Sequence, residues 1–517
     1  MAQIQVKIAV LLIWLFPLSS GALERFEKLN WIQPDSSVTS VIQFPDLVDR
    51  VYRENDDHLI WYDLEQSQLL EFQLEMIRQA GISPLFSSQL SYLQYYRQAN
   101  RWFEYDLLAT DTLLLYMSYV EQAPLQGESW FFDKKPANTF PPPSEASVKE
   151  LLVAVHMKQL NGLIHGYTPN SMGYKELSSS YQRLRSYDGK EFKAYEQVGL
   201  KKPGAVLVDK AALIQRLRIL DIPVSSRSSK GNRYDRNLVK SVRAFQQTHG
   251  LIDDGEINAT TVKWLNMPIE KRLKMLALNA ERARLWPQQR ERLIVVNVPS
   301  FAMKYWDSGV EVFESKVVVG RKSRRTPVME VNLDSLVLNP IWNVPWKIMV
   351  ADILPKVKKD VTYLDQQNIE IIEKWGDKEP VDPNGIDWNS VDPYKFTYKM
   401  RQRSGRDNAL GLYKFNTPNP RAIFLHDTPS KELFAKETRA FSSGCVRIEK
   451  AGQFADLLMD TQAVKRFIKG TDIVNRAIPL KKSIPVHIIY QTVWYESGQV
   501  HYRDDIYSYD NFSYGKG

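Results

Sequence analysis

Apolar and polar positions alternate in two different rhythms along this chain, and the change falls near residue 291. Within residues 23–204, apolar side chains recur at helical spacing, as with Leu70, Leu74 and Ile77, and again with Leu152, Val155 and Leu163. That period predicts a mainly helical N-terminal domain. Phe140-Pro141-Pro142-Pro143 interrupts it, since consecutive prolines favour extended backbone and connect helices rather than continue them. Residues 205–267 predict a compact unit in which Leu238, Val242 and Phe245 share one face of a helix over Asn237–His249. A turn-rich link, Gly250–Asn258, follows, with Asn258 as the N-cap of a short helix ending near Leu265. Pro268 opens a linker helix within 268–290, through Leu273, Leu276 and Ala280, that stops before Pro287. From Leu293 the chain breaks into short β-type runs: Leu293–Val298, Lys316–Val319, Val337-Leu338, Ala422–Leu425 and Val486–Tyr490. The expected fold class is α+β multidomain, with residues 291–517 forming a β-rich domain.

A length of 517 residues exceeds what one hydrophobic core serves, which agrees with several domains. Residues 1–22 read as a signal peptide: Lys7 is the positive end, Ile8–Leu18 the apolar core, and Ser20-Gly21-Ala22 the small residues before cleavage. A retained anchor is the alternative. No later apolar run has the length of a membrane-spanning helix, so the remainder is expected to work, soluble, outside the cytoplasm. The net charge of +8 is spread along the chain and gives no sign of a nucleic-acid partner, although an anionic polymer or membrane surface is compatible with it. Thirteen Trp and 25 Tyr suit contacts with sugars or peptides. The seven histidines show neither a His-Glu-x-x-His pattern nor a close pair, so no metal and no cofactor is expected.

The one cysteine, Cys445, lies in Ser442-Ser443-Gly444-Cys445-Val446-Arg447, and His426 precedes it in Phe424-Leu425-His426-Asp427-Thr428. A lone cysteine is usually a small buried hydrophobe, but this one sits in a polar turn where glycine lets the backbone approach a substrate. A free thiol in an exported chain also suggests a thiol in use. A cysteine nucleophile needs a base to take its proton, and His426 is the candidate.

The run Val242-Arg243-Ala244-Phe245-Gln246-Gln247-Thr248-His249-Gly250-Leu251, followed by Asp254-Gly255 and Thr260-Thr261, resembles a peptidoglycan-binding module, a small three-helix domain. Further on come Val295-Val296-Asn297-Val298-Pro299, Val317-Val318-Val319-Gly320-Arg321, Thr326-Pro327 and Asn339-Pro340-Ile341-Trp342-Asn343-Val344-Pro345. Asn408-Ala409-Leu410-Gly411, Lys414-Phe415, Leu425-His426-Asp427-Thr428-Pro429 and Arg439–Arg447 complete the series. In this order they resemble the YkuD-type L,D-transpeptidases, in the large periplasmic branch with an N-terminal helical scaffold. Two residues depart from many relatives: Phe424 stands where Tyr is common, and Ser443 where His is common.

The resemblance implies a periplasmic cysteine acyltransferase acting on peptidoglycan. Cys445 would attack the carbonyl between the third residue of a donor tetrapeptide stem and its terminal D-Ala. His426 would serve as base, and the N–H groups of Gly444 and Cys445 as oxyanion donors. A second stem's amine would resolve the thioester into a 3→3 cross-link. In the family a backbone carbonyl near Asp427 can orient the imidazole in place of an acid. Substrate-binding candidates are Arg447, Ser443, Asp427, Phe424, Trp342, Asn408 and Lys414. Asp427 also fits a turn-capping role, Arg447 a loop buttress, and Trp342 plain packing. Residues 355–399, between family motifs, are expected to form a cap inserted over the site. Implied partners are donor and acceptor stem peptides and cell-wall synthases, with carbapenem-type β-lactams as covalent inhibitors. An L,D-carboxypeptidase using the same residues, and a non-catalytic peptidoglycan-binding scaffold, remain as alternatives.

Overall fold

In a computed structural model the chain is described over residues 36–132, 137–286, 290–459 and 474–510. The expected signal segment, 1–22, lies outside the described residues. Two compact units divide the chain, one of residues 1–126 and 136–169, the other of 127–135 and 170–517.

The first unit is helical, with helices at Pro45–Glu54, Leu64–Ala80, Pro84–Gln98, Glu145–His156 and Leu160–Gly166 and most of the long helix Trp102–Phe132. Local chemistry fixes their ends. Asp63 caps Leu64–Ala80 by accepting from the Glu65 N–H at 2.8 Å, and Gly81 closes it in the left-handed region. Ser83 caps the next helix, which carries Pro84 in its first turn. Leu70, Leu74 and Ile77 are fully buried, as their spacing predicts. In the later stretch Leu151, Val155 and Ile164 are buried while Leu152 and Leu163 are half-buried, so the apolar face lies one residue from the expected one.

The helical part of the N-terminal region does not stay together up to residue 204. Helix Met172–Arg185 belongs to the second unit, where its buried Tyr174, Leu177, Tyr181 and Leu184 face helix Ile269–Arg282. The expected module follows as three α-helices, Lys210–Ile219, Arg236–Thr248 and Ala259–Leu265, with Leu238, Val242 and Phe245 at its centre. Asn258 is the N-cap, accepting from the Thr261 N–H at 2.9 Å.

The β-rich part contains β1 (Arg292–Asn297), β2 (Ala302–Asp307), β3 (Val310–Gly320), β4 (Met329–Leu338), β5 (Trp342–Asn343), β6 (Ile369–Ile372) and β7 (Lys399–Gln402). It continues with β8 (Tyr413–Asn416), β9 (Leu425–His426), β10 (Ala440–Ser442), β11 (Val446–Ile448), β12 (Arg476–Ile489), β13 (Val493–Glu496) and β14 (Gln499–Tyr502). Neighbours run β10-β3-β11-β9-β8-β4-β12-β1-β2, and β2 pairs back to β3, so the sheet closes into a barrel with β10 on its rim. Closure removes free edges, which a set of strands this short would otherwise expose.

The cap is larger than the expected 355–399. Strands β5, β7 and β6 form its own three-stranded sheet, and its apolar core runs from Val344 through Met349, Leu354, Leu364 and Ile371 to Met400. The boundary moves outward because Trp342 and Asn343 pair with Gln402 and Arg401, a non-local contact that the local pattern does not announce.

Candidate active site

Strand register builds the site. Phe415 pairs with Leu425 and Leu425 with Val446, and all three are buried in the barrel core. Because side chains alternate along a strand, the neighbouring row must point the other way. That row is Lys414 on β8, His426 on β9 and Arg447 on β11, directly opposite one another. Cys445 precedes Arg447 by two residues, in the bend that leads into β11, where the Val446 N–H donates to the Phe424 carbonyl at 3.1 Å.

His426 is buried, and its Nδ1 lies 2.5 Å from the carbonyl oxygen of Asp427. A carbonyl only accepts, so Nδ1 carries the hydrogen and Nε2 is left as the acceptor. The Asp427 carboxylate has other duties. Its Oδ2 accepts from the Leu412 N–H at 3.0 Å and its Oδ1 from Lys431 Nζ at 2.5 Å. Gly411, at φ +59°, packs so close beneath this carboxylate that an added Cβ would lie 2.4 Å from Oδ2. Asp427 thus braces the turn with both carboxylate oxygens.

The nucleophile loop is tied down from several sides. Gly444 has φ +125°, a conformation that side chains rarely adopt, and its carbonyl accepts from Thr326 Oγ1 at 2.7 Å. Thr326 in turn takes the Gly320 N–H at 2.8 Å and gives its own N–H to the Tyr507 hydroxyl at 3.0 Å. Ser442 Oγ donates to the Cys445 carbonyl at 2.6 Å and accepts from the Gly444 N–H at 3.1 Å. This corrects the expected oxyanion pair: the Gly444 N–H is committed to Ser442, whereas no described residue accepts from the Cys445 N–H. Ser443 is exposed and accepts from Arg324 Nη1 at 3.0 Å. Sequence reasoning missed Ser442, Arg324 and Tyr507. Tyr507, about sixty residues beyond the cysteine, has no local signal at all.

Burial governs the electrostatics. It pushes the Cys445 thiol up to about 11, opposed by a Phe424 backbone hydrogen bond and the charges of Lys414 and Arg447. Burial also pushes His426 down to about 3, with Arg447 and Lys414 adding to the effect against the Asp427 carbonyl. Burial thus favours the uncharged form of both the Cys445 thiol and the His426 imidazole. The thiol points at the Ala422 carbonyl, 3.6 Å away. Desolvation lowers both Lys414 and Arg447, and the Cys445 thiolate, when it forms, favours their charged forms. Arg447 Nε is buried with no hydrogen-bond partner, so this cation has capacity to spare.

The other expected contacts divide. Phe424 lines the site, its ring centroid 5.6 Å from that of His426 and 4.5 Å from the Lys414 ammonium. Trp342 does not: it packs against the cap core. Asn408 is buried with both ends used, donating to the Arg403 carbonyl at 2.8 Å and accepting from the Leu410 N–H at 2.8 Å. Asn408 thereby satisfies backbone groups of the loop between β7 and β8. A cavity of about 1070 Å³, lined among others by Lys304, Trp306, Arg439 and His501, includes neither Cys445 nor His426. Its cations are largely partnered, Lys304 by Glu311 and Glu496, and Arg439 by backbone carbonyls.

Comparison with known proteins assigns separate segments of the chain. Residues 291–475 match the model described as "L,D-transpeptidase catalytic domain", the YkuD family. The second unit thus contains a YkuD-type L,D-transpeptidase catalytic domain. Residues 46–180 match a "Scaffold domain" and residues 212–265 a "Putative peptidoglycan binding domain". A Haemophilus influenzae protein called "Putative L,D-transpeptidase" is 43% identical over 238 residues, 46% of this chain and 48% of that protein. The chain therefore matches about half the length of this curated relative. Two solved structures also align. An L,D-transpeptidase from Mycobacterium smegmatis has 11% identity and a TM-score of 0.19 over 38% of this chain and 58% of its own. The L,D-transpeptidase from Xylanimonas cellulosilytica has 12% identity and a TM-score of 0.17, over 57% and 99%. At such scores neither alignment bears on the argument.

Proposed function

We propose that this chain is a peptidoglycan L,D-transpeptidase that forms 3→3 cross-links through a Cys445 acyl-enzyme. The observation that carries this reading is the Nδ1 contact of His426 with the Asp427 carbonyl, which leaves Nε2 as a base on the strand paired with the one that Cys445 leads into. As Sγ bonds to the carbonyl carbon of the donor stem, the thiol proton passes to Nε2. The bond to D-Ala breaks, and its nitrogen takes that proton. The side-chain amine of a second stem then attacks the thioester, and the thiol recovers its hydrogen. The Cys445 N–H supports the oxyanion. Lys414 and Arg447 stabilise the thiolate as it forms, and Arg447 also holds a substrate carboxylate through its unused Nε.

Residues 212–265 would hold the polymer, and the setting would be the periplasm, with cell-wall synthases as suppliers of nascent glycan. The same thiol would be acylated by carbapenem-type β-lactams. The test is mass spectrometry of products from disaccharide-tetrapeptides incubated with the chain and with Cys445→Ala. Dimers with a 3→3 linkage plus free D-Ala, absent in the variant, are expected. Tripeptides without dimers would shift the reading to a carboxypeptidase, and unchanged substrate would sink both.

A further inference from the structure

The loop between β3 and β4 runs beside the nucleophile loop, where the Arg321 N–H donates to the Ser442 carbonyl at 3.0 Å. From this loop Arg324 reaches in two directions. Its Nη1 donates to Ser443 Oγ at 3.0 Å, and its guanidinium grips the Asp352 carboxylate, Nη2 to Oδ1 at 3.1 Å and Nη1 to Oδ2. Arg321 Nη2 approaches the same carboxylate at 3.5 Å. Asp352 belongs to the cap, in the π-helical turn Met349–Ile353, a rare form of helix that recurs at functional sites.

Two guanidiniums thus converge on one carboxylate, two residues in sequence from Cys445 by way of Ser443. The side chains remain 20%, 43% and 35% exposed for Arg324, Arg321 and Asp352. The clasp is partly solvated, so an incoming carboxylate can reach it and compete with Asp352. Forked guanidinium geometry is what a carboxylate ligand requires.

We propose that Arg321 and Arg324 form a receptor for a carboxylate of the stem peptide, separate from Arg447, and that Asp352 fills it as a placeholder while no substrate is bound. The inference rests on the substrate class proposed above. Substrate and Asp352 compete for one site, so weakening the placeholder strengthens binding.

The test is calorimetric binding of a disaccharide-tetrapeptide, and of forms in which each carboxylate in turn is a carboxamide, to the full chain carrying Cys445→Ala. One carboxamide is expected to bind about tenfold more weakly, equivalent to about 1.4 kcal/mol. Adding Arg324→Gln should abolish that preference. Adding the near-isosteric Asp352→Asn should tighten the free-carboxylate form about three- to tenfold and leave the discriminated carboxamide unchanged. A preference that survives Arg324→Gln, or an Asp352→Asn that weakens every form equally, would make Asp352 a structural brace and overturn the inference. If no form binds and the unmodified chain releases no D-Ala, the substrate reading falls, and the receptor with it.

Discussion

Buried polar groups occur in both units of this protein, but they are handled differently. In the helical unit, Asp106 accepts from the Tyr52 hydroxyl and from the backbone N–H groups of Ile60 and Trp61, and Asp111 accepts from Gln43 and Phe44. These carboxylates pin non-helical chain to the long helix, and their oxygens are used. At the barrel mouth, burial is comparable but the hydrogen bonding is left incomplete: His426 Nε2, Arg447 Nε and the Cys445 N–H have no partner among the described residues. Burial raises Asp111 and Cys445 alike and lowers His426, so a shifted pKa does not by itself separate structure from chemistry. Unpaired capacity alone does not either, since Gln66 Oε1, Gln89 Oε1 and Thr112 Oγ1 of the helical unit are also buried without a partner; what sets the barrel mouth apart is that Lys414, His426 and Arg447 stand opposite one another on three paired strands.

Substitutions can break that comparison. The largest effect belongs to Cys445→Ala, which should reduce D-Ala release at least about a thousandfold while shifting the melting temperature by less than about 1 °C. A large loss of melting temperature would make the thiol a core element after all. His426→Gln should cost about 10²–10⁴-fold in the acylation rate. Arg447→Met should lower kcat/KM about 10–100-fold, as expected for removing a charged hydrogen bond. Asp106→Ala should do the reverse, destabilising the helical unit by about 3 kcal/mol through three orphaned donors, with Cys445 alkylation by iodoacetamide unchanged.

Two pH measurements sharpen the contrast. Alkylation of Cys445 should be slow at neutral pH and rise toward about 11, and Arg447→Met should move the rise higher, since that cation favours the thiolate. For Asp111 the sign is set by a folded pKa raised to about 7 from 3.8. The folded state holds its proton more tightly than the unfolded chain, so this contribution is complete below 3.8 and is lost as pH rises through about 7. Asp111→Asn should flatten that part of the unit's melting curve against pH, and an unchanged slope would show that Asp111 stays ionised throughout.

Much of the site was legible in the sequence, but unevenly. Cys445 and His426 announce themselves because a thiol in a glycine turn and a histidine in a β run are locally unusual. The imidazole's carbonyl partner followed from the family resemblance. Asp427, Asn408 and Trp342 carry the same motif signal, and yet their side chains brace a turn, bond a loop and pack against the cap, since a motif marks which residues recur together without saying which way each side chain points. The Gly444 N–H went to Ser442 for the same reason: two adjacent serines look alike in sequence, and only the turn decides which one folds inward.

The sequence by itself determined the helical and β-rich halves and the three-helix module, and singled out Cys445 and His426 as the candidate nucleophile and base, because periodicity, capping and short motifs act within a few residues. Tertiary structure decided the closure of the barrel, the place of helix Met172–Arg185 in the second unit, and the true width of the cap. It also joined Thr326 to Tyr507 and Arg324 to Asp352 and Ser443. Those contacts cross tens to well over a hundred positions of chain, and their worth depends on neighbours that no local pattern of apolar and polar residues specifies.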